Sequence, residues 1–474
     1  MEEKFGWITT ELNQVAEIIM GQSPPSSTYN ENDIGLPFFQ GKAEFTELYP
    51  IVSKWCSEPN KIAESNDILI SVRAPVGATN IANQKCCIGR GLAAIRYPDC
   101  NKYVFYFLRL IEKELDKKGT GTTFKAISGS VLKSEKIPLA PLPEQRVIVS
   151  KIEQLFSELD NGISNLKLAQ EQLKVYRQAV LKKAFEGELT KKWREQQTDL
   201  PDAGDLLEQI RKEREEATKS SDKKGKKSKP PTGTELADLP MIPKKWMWVK
   251  LDYLGDLGRG KSKHRPRNDK ILFGGKYPFI QTGEVKAANH TIKSFEKTYS
   301  DFGLAQSKLW PKGTLCITIA ANIAETAFLG FDGCFPDSIV GFTATENIIM
   351  KEYIYYFFKV NQSKIEAFAP ATAQKNINLN TLENLIVPYC SLLEQKAIVQ
   401  EIETRLSVCD KIEQDIETNL EKAEALRQSI LKKAFEGKLL NERELAEVRG
   451  AEDWEPAEVL LKRIRAERVR NGKK

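Results

Sequence analysis

The run Gly255-Asp-Leu-Gly-Arg-Gly260-Lys261-Ser262 fits the GxxxxGK[ST] pattern of a phosphate-cradling loop letter for letter. That chemistry needs a strand feeding a glycine turn that opens at once into a helix, so that backbone N–H groups and the lysine surround a nucleotide's phosphates. Here Pro266 follows Ser262 by four residues, and Lys263–Asp269 (KHRPRND) is a poor helix start. No apolar run ending in Asp-Glu offers a magnesium-binding partner. The same stretch also reads as a basic loop. Arg259, Lys261, Lys263, His264, Arg265 and Arg267 crowd nine positions, and Asn268 follows. Cations on a polar loop suit phosphate contacts and bidentate contacts to guanine edges. The bland alternative is a solvated surface loop.

Little else in the chain is equipped for catalysis. There are two histidines, His264 and His290, and eight cysteines without CxxC spacing, so neither a zinc site nor histidine acid–base chemistry is indicated. Reduced cysteines fit a cytoplasmic protein. No methyltransferase [DNS]PP[YFW] motif, PD-(D/E)xK constellation or GxSxG elbow occurs. The expectation is a chain with no catalytic residue and no metal ligand. Polar groups that suit base or phosphate contacts recur in pairs. Gln22, with Asn30, lies on an uncharged loop that corresponds to the basic one. Gln40 and Lys42 follow PFFQ where Gln281 and Thr282 follow PFIQT. Thr122, Thr123 and Lys125 answer to Thr372, Gln374, Lys375 and Asn376.

Those pairs belong to an internal repeat. Gln178–Leu189 (QAVLKKAFEGEL) and Gln428–Leu439 (QSILKKAFEGKL) lie 250 residues apart, and roughly 20 of 48 positions match without a gap from Leu142 to Leu189. Tyr103, Tyr106 and Phe107 meet Tyr353, Tyr356 and Phe357 at the same offset. Towards the front of each half the likeness thins to Leu12-x8-Gly21-x-Ser23 against Leu251-x8-Gly260-x-Ser262, at an offset of 239. Similar tails and divergent fronts point to a pseudo-two-fold molecule whose halves read different things.

The elements that would carry these residues follow from periodicity. From Pro141 to Gly187 apolar residues recur at alternating spacings of four and three: Ile148, Ile152, Leu155, Leu159, Gly162, Leu166, Ala169, Leu173, Tyr176, Val180. The second copy opens on a Ser391-x-x-Glu394 capping box and runs Ile398, Ile402, Arg405, Cys409, Ile412, Ile416, Asn419, Ala423, Leu426, Ile430. Each predicts a helix of about 40 residues closed by a glycine, Gly187 or Gly437. Antiparallel pairing would set Gly162 against Ile416, Ala169 against Cys409 and Leu155 against Ala423, small against large. The fronts look α+β. Strands are expected at Asp67–Val72, Leu92–Tyr97, Leu315–Ala321 and Ile339–Thr345, and aromatic-faced helices at Tyr103–Lys117 and Tyr353–Phe368. The aromatics belong to the core by their helical spacing.

Charge is a misleading guide. The chain is +6, but Lys219–Lys229 (KSSDKKGKKSK) holds six lysines and one aspartate, so +5 sits in a linker followed by Pro230-Pro231. Nucleic-acid affinity must come from local patches. No segment has transmembrane length, and MEEKFGW does not read as a signal peptide.

The twin QAVLKKAFEGEL and QSILKKAFEGKL ends, the preceding PLAPLPEQ and VPYCSLLEQ, Trp246-MWVKL, and GRGKSKHRPRND followed by YPFIQTGEVK together resemble the specificity subunits of type I restriction–modification systems over nearly the whole chain. The resemblance implies two target-recognition domains, each reading half of a bipartite site on double-stranded DNA, with conserved helices setting the gap. It implies docking of two modification subunits that use S-adenosylmethionine to methylate adenine at N6. Restriction subunits would add ATP- and Mg-dependent translocation and cleavage. The chain then divides into recognition domain 1 (1–141), helical region 1 (142–190), a helical coda and Lys-rich linker (191–240), recognition domain 2 (241–390), helical region 2 (391–440) and a charged helical tail (441–474). The expected place is the cytoplasm, with no membrane partner. The competing readings are a coiled-coil adaptor without sequence preference and a P-loop nucleotide-binding enzyme.

Overall fold

Each long apolar series forms one unbroken helix, Leu142–Phe185 and Leu392–Phe435, 44 residues apiece and about 66 Å long at 1.5 Å per residue. They are seen in a computed structural model that describes residues 5–121, 125–219, 229–345, 347–368 and 376–471. Both helices stop in a left-handed glycine, Gly187 at φ +75° and Gly437 at φ +70°. Beyond it, Glu188 N–H donates to Lys183 O and Lys438 N–H to Lys433 O, at 3.0 and 2.8 Å. This Schellman closure satisfies carbonyls that the helix leaves open.

The helices pair antiparallel along the seam that apolar spacing suggests at every second position, with the alternate positions shifted by one residue. On the second helix Ile402, Cys409, Ile416, Ala423 and Ile430 are buried, and Leu406, Glu413, Leu420 and Arg427 between them are half-buried. Ile412 and Leu426 are 42% and 49% exposed. On the first helix Phe156 is buried and Ile163 and Arg177 half-buried, whereas Gly162 and Tyr176 are exposed. A Cβ added at Gly162 would meet nothing within 4 Å, so the expected opposition of Gly162 and Ile416 does not form. The reason is that long amphipathic side chains lay their stems in the seam and put their charges on the partner helix. Arg177 reaches Asp410 at 2.6 Å and Glu413 at 2.8 Å. Arg427 lies 5.2 Å above the Phe156 ring and pairs with Asp160.

The chain divides into two compact units, Met1–Lys167 with Ile416–Lys474, and Leu168–Asp415. Each long helix therefore begins in one unit and ends in the other. In the first unit a four-stranded sheet runs in the order Glu17–Met20, Leu92–Arg96, Ile68–Ser71, Thr79–Ile81. A second sheet includes Leu36–Phe39 beside Cys86–Ile88. In the second unit the order is Gly255–Arg259, Ile339–Ala344, Leu315–Thr318, Thr326–Leu329, Thr291–Ile292. The repeat persists in register where its sequence fades. Leu92 faces Ser71 as Ile339 faces Thr318, and Phe38 pairs in parallel with Cys87 as Phe279 does with Cys334. The central strands Ile68–Ser71 and Leu315–Thr318 are buried at every position, because helices cover one face and a second layer the other.

The expected aromatic helices are core elements. Tyr103, Tyr106, Phe107, Tyr353, Tyr356 and Phe357 are all buried. The first helix is broken in two, Asn101–Leu110 and Glu112–Lys118, at a buried Ile111 outside helical geometry. The repeated KKAFEG motif supplies a plug for each. Phe435 packs on Tyr103 and Phe107 in the first unit, and Phe185 on Tyr353 and Phe357 in the second.

A buried carboxylate fixes the start of each long helix. Glu144 accepts from Trp7 Nε1 (2.7 Å), Arg449 Nε (3.0 Å) and Trp454 Nε1 (3.3 Å). Glu394 accepts from Trp246 Nε1 (2.8 Å), Arg194 Nε (2.7 Å) and Thr190 Oγ1 (3.0 Å). Ser391 Oγ does cap the Glu394 N–H at 3.3 Å, but the Glu394 carboxylate turns to this clamp. The arginine comes in each case from the segment that follows the other long helix.

Candidate nucleic-acid interface

In the first unit four separated segments converge on one cleft, and backbone groups do the joining. Gly21 N–H donates to Leu92 O (2.9 Å), Gln22 N–H to Ile88 O (3.1 Å), Gly89 N–H to Phe39 O (2.8 Å) and Val72 N–H to Gly91 O (2.9 Å). Glycine is required at Gly91, where a Cβ would stand 2.1 Å from Gln40 O. Ser23 Oγ accepts from Arg90 N–H at 3.1 Å and from Gln40 Nε2 at 3.4 Å. The result is a cleft of about 170 Å³ walled by Gln40, Lys42, Ser71, Arg73 and Arg90, with no carboxylate in its lining. Lys42, Arg73 and Arg90 are exposed.

The structure places Gln40 and Lys42 in the lining of this cleft, with Gln22 held nearby through its backbone N–H, and adds Arg73 and Arg90, which sequence reading missed. Arg90 stood between two glycines just before a buried strand, and that signal was available. Lys125 is close by, its carbonyl accepting from Ala74 N–H at 2.9 Å. Its ammonium is engaged with Asp116 at 2.8 Å, which holds that carboxyl below the usual range. Thr122, Thr123, Gln374 and Lys375 lie outside the described residues.

The same place in the second unit is built from different side chains. Gly260 N–H donates to Ile339 O at 2.9 Å, as Gly21 does to Leu92. Register makes Ala320 the counterpart of Arg73 and Asp337 the counterpart of Arg90. The basic loop lies here, largely braced against itself. Arg267 grips both Asp337 oxygens at 3.0 and 2.9 Å, and Arg259 Nε donates to Asp337 O at 2.5 Å. Arg265 Nη1 donates to Ser262 O and His264 O at 2.7 and 2.8 Å. His264 Nε2 meets Asp269 at 2.9 Å and, as its hydrogen-bond partner, lowers that carboxyl's pKa. Lys261, Lys263 and Asn268 are exposed, and no ion pair is seen for the two lysines among the described residues. Lys308 lies 3.5 Å over Trp310, where burial and the neighbouring Lys261 charge lower its pKa.

Two expectations change on this geometry. Gln281 is a helix cap rather than a free reader: its side chain bonds the first turn of Thr282–Ala287, and Glu284 returns to the Gln281 N–H at 3.0 Å. Thr282 is the first residue of that helix, and Asn376 bridges to Ala320 and is exposed. Gly255–Arg259 is a sheet strand paired with Val340–Ala344, and residues 260–269 form no helix. The strand–loop–helix that a phosphate-cradling loop requires is therefore missing. Among the described residues no group of three or more His, Cys, Asp and Glu side chains is placed to hold a metal ion, and no helix is long and apolar enough to cross a membrane.

A repeated α+β recognition module on paired long helices defines a class, and comparison with known proteins agrees. The chain matches the type I restriction modification DNA specificity domain twice, over residues 5–168 and 243–422, and belongs to that family. It is 48% identical over 154 residues to the MjaX specificity subunit assigned in Methanocaldococcus jannaschii, covering 31% of this chain and 36% of that one. It is 25% identical over 485 residues to the EcoDI specificity subunit of Escherichia coli, covering 99% and 96%. The crystal structure of the HsdS subunit from Thermoanaerobacter tengcongensis superposes with a TM-score of 0.60 at 19% identity, over 92% of this chain and 97% of that one, a likeness of fold.

Proposed function

We propose that the chain is the DNA-reading subunit of a type I restriction–modification complex, in which each unit reads one half of an asymmetric, divided site on duplex DNA. What supports the reading is one observation above all: one backbone frame, built twice, carries Gln40, Lys42, Arg73 and Arg90 in one copy and Lys261, Lys263 and a braced arginine loop in the other. Equal frames with unequal side chains suit two sequences read by one architecture. The similar helices and their clamps suit two identical modification subunits, with restriction and translocase subunits joining them in the cytoplasm. S-adenosylmethionine, ATP and Mg would be held by those partners, and this chain would contribute recognition without catalysis.

The test is co-expression with the modification subunits encoded beside it, followed by mapping of N6-methyladenine on host DNA. A single motif of two short specified blocks around an unspecified gap is expected. An undivided motif, or binding that is salt-sensitive without sequence preference, refutes the reading and favours a coiled-coil adaptor.

A further inference from the structure

The cleft of the first unit brings three cations, Lys42, Arg73 and Arg90, around Gln40 with no carboxylate in its lining, and no ion pair is seen for any of the three among the described residues. Like charges gathered in a concavity repel one another, and a folded chain normally relieves this with an acid nearby. The second unit does so: the residue in the place of Arg90 is Asp337, which neutralises Arg267. The first unit leaves the charge unanswered, and so leaves it for a ligand rich in acceptors.

The two arginines also sit on stiff supports. Arg73 stands two residues past the buried strand Ile68–Ser71, after the buried Val72, and bridges to Ala126, while Ser71 Oγ donates to the Arg73 carbonyl at 2.8 Å. Arg90 occupies the turn between Cys86–Ile88 and Leu92–Arg96, its N–H held by Ser23. A planar guanidinium on a fixed backbone suits two-point recognition, whereas a lysine on a loose stem acts as a point charge.

We propose that Arg73 and Arg90 are specificity-determining residues that read guanine edges in the major groove, with Lys42 on an adjacent phosphate. The proposal rests on the DNA-reading function above. It further assigns the charged reading of the first unit to strand ends and that of the second to the loop carrying Lys261 and Lys263.

The experiment uses the complex with modification subunits and four variants: Arg73→Ala, Arg73→Lys, Arg90→Ala and Arg90→Lys. The readouts are the methylated motif and the affinity for the cognate site at two salt concentrations. If the wild-type complex shows no divided motif, the underlying function fails and this step falls with it. Given a divided motif, each alanine variant should lower cognate affinity roughly 5- to 150-fold and relax a guanine in one half-site only. The lysine variants should relax the same position while keeping the wild-type salt slope, because they keep the charge and lose the fork. Two results overturn the proposal. One is uniform weakening with an unchanged motif, restored by lysine, which makes both arginines phosphate anchors. The other is an unchanged motif and affinity in variants whose thermal unfolding matches wild type, which removes the cleft from the interface.

Discussion

Replacing Glu394 by alanine should destabilise the second unit far more than any surface ion pair can. The carboxylate is 2% exposed and accepts from an indole, a hydroxyl and Arg194, itself only 17% exposed. Its removal leaves two buried donors without an acceptor and a largely buried cation without a counter-charge, still held by the Gly187 carbonyl and the Thr190 hydroxyl. Breaking such a pair costs about 3–5 kcal/mol. For a unit of this size that corresponds to a fall of roughly 6–20 °C in the unfolding midpoint. Glu144→Ala should cost less, about 2–4 kcal/mol, since Arg449 is 32% exposed and can recover water. The control is Glu447→Ala, which removes a pair exposed at 89% and 67% and should shift stability by less than about 0.5 kcal/mol. Scanning calorimetry and denaturant titration measure all three. The double change Glu394→Leu with Arg194→Met should recover only part of the loss, because Trp246 Nε1 and Thr190 Oγ1 still lack an acceptor. If Glu394→Ala behaves like Glu447→Ala, or if the two clamps rank in the opposite order, the account of these helix starts is wrong.

Four further outcomes follow from the division between frame and readers. Four residues inserted beside Leu166, about one helical turn, should change the gap between the specified blocks and leave the blocks themselves intact in a methylation map; altered bases would refute it. Exchange of residues 241–390 for the front of a related chain should change one block only, and a change in both would deny the independence of the units. Lys261→Ala should lower the salt slope of binding by roughly one unit. Arg267→Ala should act mainly by freeing Asp337 and loosening the loop, with a stability loss of about 0–1 kcal/mol. Equal salt-slope changes in both variants would show that the Arg267–Asp337 brace yields to DNA.

The long helices, their glycine ends and the buried aromatic helices were legible because each is set by local spacing: a 3.6-residue period, a C-terminal glycine, rings on one face. The seam was legible only at every second position, because a heptad leaves two choices between those. Arg177, Glu413 and Arg427 take the place that an apolar count gives to Tyr176, Ile412 and Leu426. An apolar count has no weight for a stem that lies in a groove and ends on a carboxylate. The P-loop match failed on grounds the sequence already offered, Pro266 and the poor helix start, and the structure shows what the letters do instead. The two glycines that the pattern specifies serve close sheet packing: a Cβ at Gly255 would stand 2.4 Å from Thr343 O, and one at Gly260 2.2 Å from Pro336 O. Gln281 passed for a reader because capping glutamines are indistinguishable from free ones until the next turn is seen.

Arg73 and Arg90 were hidden for a deeper reason, which also explains how such a chain can change what it reads. The cleft is framed by main-chain bonds and by glycines, and very little by the residues that line it. Gly21 and Gly260 each lie where a Cβ would come 2.2 Å from a carbonyl, that of Gly89 in one unit and that of Pro336 in the other. Ile127 N–H meets Val72 O as Ile377 N–H meets Ile319 O, at 2.9 and 3.0 Å. Bonds of this kind do not depend on which side chain projects from the residue beside them, so Arg73 can stand where the other unit has Ala320, and Arg90 where it has Asp337, while most of the frame is kept; Pro336, in the place of Gly89, has no N–H to repeat the Gly89 bond to Phe39 O. Readers placed at such positions are free to differ between the two copies. A pattern search that compares the copies finds the glycines and the core and passes over the residues that differ. In a repeat of this design those differing exposed positions at a matched frame are where recognition should be sought.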